Sequence, residues 1–256
     1  MTTRLDSIQR SSTPLIVGHR GAPRAARENT LAGFVAAKSL GASMVELDVR
    51  FSADHQLVVH HDSIIKGLGA IIDLHRTDLP EYVPTLPDAL SICRVHGLNV
   101  NIEIKNEKGE PGFDSTCALA DAVVELLQEY PEQQRLAYLI SSFHEPTLAR
   151  VRALDPTMAT AYLFSLPVPT VKSVIRRSVG GGYLALHPWW RCCTLRLIES
   201  AHEAGLRVNT WTVNDPAQMR VLIANGIDAI VTDVPDVASA MVAETRAPNL
   251  HSQPPT

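Results

Sequence analysis

Short apolar runs alternate with longer amphipathic stretches along the chain. Eight runs have the length and β-branched content of strands: LIVGH (15–19), MVELDV (44–49), NVNIEI (99–104), LAYLIS (136–141), TAYLF (160–164), GYLALH (182–187), RVNTWTV (207–213) and DAIVTDV (228–234). Helix-like segments lie between them at 30–40, 86–96, 115–130, 145–153, 171–178, 194–204, 217–225 and 236–244. Pro87-Asp88 and Asp215-Pro216 are helix-start signals, and Gly41, Gly97, Gly205 and Gly226 stand where helices end. Strand then helix, eight times, predicts an α/β fold of the (β/α)8 TIM-barrel kind, taken as one domain over 1–256. A doubly wound open sheet is the competing fold, and the lack of a GxGxxG run after the first strand counts against it. One piece breaks the rhythm. QLVVHHD (56–62) is a further β-like run and 63–84 continues beyond it, so about 52–84 is expected as an excursion over the C-terminal face. The tail NLHSQPPT is polar.

Functional side chains of such a barrel stand at the C-terminal ends of the strands. In VELDV, strand alternation puts Val45, Leu47 and Val49 on one face and Glu46 and Asp48 on the other. Glu103, in NIEIK, stands on the neighbouring strand at a similar height. Three buried anions this close repel one another. A divalent cation with hard oxygen ligands, Mg²⁺ or Ca²⁺, resolves the repulsion; ion pairs to Arg20, Arg50 and Lys105 are the other resolution, and spacing leaves both open. His19 and His61 also fall at strand ends, where two imidazoles can supply one base and one acid. Arg20 and Lys105 have the charge to hold a phosphate. Together these groups compose a phosphoryl-transfer site. His60 alternates away from His61, and His55, His75, His96 and His202 lie in turn, loop or helix text and receive no role. Trp189 and Trp190 are expected to pack under the rim or to wall the substrate pocket.

Composition narrows the partners. The chain has 256 residues, 45% of them apolar, and a net charge of −4, enough for a full core and wrong for a nucleic-acid backbone as partner. The opening MTTRLDSIQRSSTP lacks the apolar run of a signal peptide, and no stretch reaches the length of a membrane span. Cys93, Cys117, Cys192 and Cys193 form no CxxC pair and are taken as ordinary thiols. A small-molecule substrate, no membrane insertion and a cytoplasmic location are the expectations.

The assembled motifs resemble the glycerophosphodiester phosphodiesterases. HRG (19–21) with ENT (28–30), VELDV (45–49), VVHHD (58–62), PTLPDAL (84–90), NIEIK (101–105), SSF (141–143), WTVN (211–214) and TDVP (232–235) occur in the family's order, over about 15–240. The short length and missing leader look most like the cytoplasmic bacterial members. The resemblance implies Glu46, Asp48 and Glu103 as ligands of Mg²⁺ or Ca²⁺, and His19 and His61 as the acid–base pair. It implies that Arg20 and Lys105 contact the phosphodiester and that Trp211 lines the glycerol or leaving-group side. Glu28 and Asn29 would support the site, Glu28 by orienting Arg20 or His19. The implied reaction passes through a cyclic phosphate and yields sn-glycerol 3-phosphate. Two departures stand out: Arg27 replaces the proline before ENT, and Gly67-Leu68 replace an arginine-threonine pair after HD, which on this reading removes a donor near the substrate. Phospholipase D-like cleavage of a lysophospholipid and an inactive binding barrel are the alternatives.

Overall fold

The computed structural model of the chain describes residues 13–167 and 170–246. The polar tail NLHSQPPT and most of the opening segment lie outside the described residues.

Eight parallel strands close on themselves: β1 (Leu15–Gly18), β2 (Met44–Phe51), β6 (Asn99–Ile104), β7 (Tyr138–Ser142), β8 (Ala159–Phe164), β9 (Ala185–Pro188), β10 (Arg207–Thr210) and β11 (Ala229–Thr232). β1 pairs with both β11 and β2, which completes the barrel. The surrounding helices are α1 (Leu31–Ser39), α2 (Leu86–Val95), α3 (Ala118–Gln128), the single turn α4 (Glu132–Arg135), α5 (Glu145–Leu154), α6 (Val171–Gly180), α7 (Leu195–Glu203), α8 (Pro216–Ala224) and α9 (Pro235–Arg246). This is the TIM barrel that the alternation predicts.

Strand alternation builds two cores. Val17, Met44, Leu139, Ala161, Ala185, Ala229 and Val231 fill the barrel interior. The residues between them on the same strands, such as Val45, Leu47, Ile102 and Ile140, face the helices in a larger cluster. The small alanines inside β8 and β9 give the interior room for the larger side chains opposite.

Helix starts fall at the C-terminal face, and several of them carry a side-chain cap in the turn after the strand. Thr30 Oγ1 accepts from the Gly33 N–H, Thr85 Oγ1 from Asp88 and the Asp215 carboxylate from Ala217. Such caps contribute about 1 kcal/mol each. Caps also account for boundaries that periodicity misplaces. Helix α3 begins at Ala118 rather than 115, because the Asp114 carboxylate accepts from the Thr116 and Ala118 N–H groups and holds 114–117 in a turn. Strand β7 begins at Tyr138 because 132–135 coils into α4, and β9 begins at Ala185 because Gly182, at φ 65°, closes the turn after α6.

After β2 the chain turns back as β3 (Leu57–Val59), antiparallel to the end of β2, with Val49, Arg50 and Phe51 paired to Val59, Val58 and Leu57. The segment beyond holds a short hairpin, β4 (Ile64–Ile65) with β5 (Gly69–Ala70), and two single 3₁₀ turns. Ile65, Ile71, Leu79 and Val83 pack with Val58 into a small core of their own. No helix among the described residues is long and apolar enough to cross a membrane.

Candidate active site

The turn after β1 is unusually tight. A Cβ on Gly18 would lie 2.2 Å from the Gly21 carbonyl oxygen, and one on Gly21, at φ 93°, would lie 2.7 Å from the Gly33 carbonyl carbon. Only glycine fits at either place. Arg20, between them, is left-handed at φ 51°. Its backbone N–H donates to Glu46 Oε2 at 2.9 Å, its Nη1 donates to Glu28 Oε1 at 3.1 Å, and its Nε stands 3.5 Å from Asp48 Oδ2. Glu28 therefore pairs with Arg20, one of the two partners the resemblance implied for it. Asn29, also left-handed at φ 53°, donates from Nδ2 to Asp48 Oδ2 at 2.8 Å.

β2 and β6 run in register, so Asp48 lies beside Glu103 and Glu46 beside Asn101. One oxygen from each of Glu46, Asp48 and Glu103 falls within 4.8 Å of the others, and all three residues are buried. Lys105 Nζ lies 2.9 Å from Glu103, 3.0 Å from Glu107 and 3.9 Å from Asp48. Arg50 does not take part, contrary to the ion-pair reading. It shares the face of Glu46 and Asp48 but reaches past the cluster, donating from Nε and Nη2 to the His61 carbonyl and from Nη2 to Glu110.

Two cations do not quench this cluster. Burial, followed by repulsion from Asp48 and Glu103, pushes the Glu46 carboxyl well above the usual range. Burial raises Glu103 to about 7 in spite of Lys105. Burial acts upward on Asp48 too, but Lys105, His61 and Arg20 outweigh it and hold that carboxyl below its usual value. In the protein alone, protons take up part of the charge. A set of three hard oxygens that retains protons against its own lysine fits a divalent cation. Beside it, Asn101 Oδ1 and Ser141 Oγ are buried with no hydrogen-bond partner among the described residues.

The histidines share one design. His19 Nδ1 lies 2.7 Å from Asp233 Oδ1, and His61 Nδ1 lies 2.7 Å from Asp62 Oδ1. The hydrogen bond from His61 holds Asp62 below the usual carboxylate range, and that from His19 does so for Asp233 against its burial. Ionised carboxylates accept only, so each Nδ1 carries the proton and Nε2 remains for chemistry. Burial, with Lys105 and Arg20, lowers the His61 imidazole despite Asp48. Asn214 Nδ2 donates to Asp233 Oδ2 at 2.6 Å, and its Oδ1 accepts from the Asp233 N–H at 2.9 Å.

His19, Arg20, Glu46, His61, Glu103, Lys105 and Trp211 line one pocket, with Asp48 and Asn29 buried beside it and Glu28 on its rim. Sequence reasoning assigned no role to Asp62, Asn101, Phe143, Asn214 or Asp233. Phe143 packs edge-on to Trp211, with ring centres 5.5 Å apart, and lies under Lys105 Nζ. His187 also lines the pocket; burial pushes it down to about 3, so it is neutral, and its Nε2 accepts from Asn209 Nδ2. Trp189 and Trp190 pack against the outer core, so of the two places expected for them they take the one under the rim. Gly67 and Leu68 form the exposed tip of the β4–β5 hairpin and do not themselves line this pocket.

Comparison with known proteins agrees with this geometry. A glycerophosphodiester phosphodiesterase of Caldanaerobacter subterraneus subsp. tengcongensis is 28% identical over 246 residues, spanning 89% of this chain and 97% of that one. A phosphodiesterase of Oleispira antarctica, solved in complex with its product sn-glycerol-3-phosphate, superposes with a TM-score of 0.81 at 26% identity, covering 90% of this chain and 97% of that one. A glycerophosphodiester phosphodiesterase of Thermotoga maritima gives 0.74 at 26% identity, covering 91% and 98%. The pattern of the glycerophosphoryl diester phosphodiesterase family matches residues 19–237, and the chain belongs to that family and is an enzyme of its type.

Proposed function

We propose that the protein hydrolyses glycerophosphodiesters to sn-glycerol 3-phosphate and an alcohol. The observation that carries this reading is the placement of two histidines, each tied through Nδ1 to its own carboxylate, on the pocket that holds the acid cluster and Lys105. Glu46, Asp48 and Glu103 would hold Mg²⁺ or Ca²⁺, and the cation would draw negative charge from the phosphoryl oxygens. Arg20 and Lys105 bind the diester, Trp211 lines its glycerol or leaving-group side, and Glu28 and Asn29 support Arg20 and Asp48.

One histidine takes the proton of the glycerol 2-hydroxyl as that oxygen bonds to phosphorus. The other gives its proton to the departing alcohol oxygen as the phosphorus–oxygen bond breaks. The roles then reverse, and water opens the resulting cyclic phosphate. The attacking hydroxyl belongs to the same molecule as the phosphorus, so no second reactant has to be positioned.

On this reading the chain is a cytoplasmic bacterial member of the family, and its described residues make one domain with 52–84 as an excursion over the mouth. Purified protein, stripped of metal and then given Mg²⁺ or Ca²⁺, is to be assayed on glycerophosphocholine and lysophosphatidylcholine. Release of sn-glycerol 3-phosphate, a transient cyclic phosphate in ³¹P spectra, and losses of roughly 10²–10⁴-fold in His19→Ala and His61→Ala are expected. Cleavage that survives both substitutions refutes the assignment.

A further inference from the structure

A cavity of about 470 Å³ opens at the opposite end of the barrel, among the first residues of β7 and β8 and the turns that lead into β9 and β10. Its volume lies within the roughly 300–1,000 Å³ of ligand pockets. It shares no lining residue with the catalytic pocket.

The lining offers donors in excess. Arg135 spends Nη1 on Asp155 Oδ2 at 2.9 Å, while its Nε is buried without a partner among the described residues. Arg152 donates from Nη1 to the Pro156 and Met158 carbonyls and has no carboxylate partner among the described residues. Thr160 Oγ1 is buried and has no partner among the described residues. Burial pushes the Tyr138 and Tyr183 hydroxyls up to about 12, so both keep their protons at neutral pH. Glu132 is the acid on the lining, and it is exposed to solvent. The remaining walls are apolar, with Ile140, Met158 and the two tyrosine rings prominent. A buried guanidinium nitrogen and a buried hydroxyl without partners are costly, and an acceptor group in the cavity would satisfy such donors.

We infer that this basal cavity is a second binding site, and that it takes a small amphiphilic anion: a compact apolar body carrying one acidic group, met by Arg135 and Arg152. Free phosphate lacks the apolar body, and an uncharged hydrocarbon leaves Arg152 without an anion and Arg135 Nε without an acceptor. The site is independent of the reaction at the mouth.

The probe is 8-anilinonaphthalene-1-sulfonate, with uncharged N-phenyl-1-naphthylamine as its counterpart, titrated by fluorescence into the full chain. The sulfonate should saturate a single site and bind at least about 10-fold more tightly than the neutral dye, in line with a charge-assisted contact. Saturating sn-glycerol 3-phosphate should not displace it. Arg135→Gln and Arg152→Gln should each weaken it about 10-fold, and Leu136→Trp, which narrows the cavity without touching an ion pair, should abolish it. Each variant is checked for glycerophosphocholine turnover, which should persist as evidence of folding. Absent saturation, displacement by sn-glycerol 3-phosphate, equal binding of the neutral dye, or indifference to Leu136→Trp or to either arginine substitution in a folded variant overturns the inference.

Discussion

His19 Nδ1 and Asp233 Oδ1 lie 2.7 Å apart, and Asn214 grips the same aspartate through both its carboxylate and its backbone N–H. The imidazole is thereby fixed in tautomer and in direction. Asp233→Asn keeps the shape but presents an amide where the ring needs an acceptor. We expect kcat to fall roughly 10²–10⁴-fold with KM nearly unchanged, because the loss touches proton transfer more than binding. Steady-state kinetics beside a thermal melt decide it; a kcat within twofold of wild type removes Asp233 from the mechanism.

The acid cluster makes cation binding depend on pH. Glu103 titrates at about 7 against an ordinary 4.5, and Glu46 is raised as well. A raised carboxyl disfavours the metal-free fold as pH climbs from about 4.5 toward 7, because the folded state must give up a proton it holds more tightly than the unfolded chain does. A cation must displace the same proton. Apparent affinity for Mg²⁺ or Ca²⁺ should therefore weaken about 10-fold per pH unit below 7 for one proton released. Calorimetric titration at pH 6 and 8 in buffers of different ionisation enthalpy measures that release. Glu46→Gln should reduce the affinity at both values, and an unchanged isotherm would falsify the metal assignment.

Arg50 suspends the loop that bears His61. Its Nε and Nη2 both donate to the His61 carbonyl, at 2.8 and 2.5 Å. Arg50→Ala leaves that carbonyl without either donor and frees Glu110. About 10-fold lower kcat and roughly 1–3 kcal/mol lower stability are expected, the second from the buried hydrogen bonds to a charged group. Denaturant melts and turnover measured on the same sample test both; loss of stability alone would limit Arg50 to a structural part.

Gly67 marks a place where backbone explains a departure from the family pattern. It sits at φ 85° on an exposed hairpin tip, with open space around a built Cβ. Arginine there has room at its Cβ but enters a left-handed conformation, at a cost of about 1–2 kcal/mol. Gly67→Arg should lower Tm while kcat/KM on glycerophosphocholine stays within about twofold. A changed preference among head groups would return this residue to the substrate.

The barrel and its acid cluster were legible because both are local patterns. Alternation in VELDV places Glu46 and Asp48 on one face, and NIEIK repeats the signal on the adjacent strand. Asp233 was not legible as the partner of His19, since 214 positions separate them and only closure of β1 on β11 brings them together. Asp62 adjoins His61 in the sequence, yet adjacency along a strand end normally points side chains apart. Arg50 continued the polar alternation of β2 and so looked like a neighbour of the acids; its length lets it reach beyond them. Sequence carried the face but not the reach.

The seam between β1 and β2 has consequences of its own. Only Val17 with Met44 and Gly18 with Val45 are paired there, against six pairs between β2 and β6. Beyond those two pairs, the first and second strands are joined through Arg20 to Glu46 and Asp48, and through Asn29 to Asp48. The residues proposed to hold the cation and the diester thus also tie this seam, which with the β9–β10 and β10–β11 seams is among those with two pairs. Loading the site should fasten the circle, and amides of 15–21 and 44–48 should exchange with deuterium more slowly once cation and product are bound.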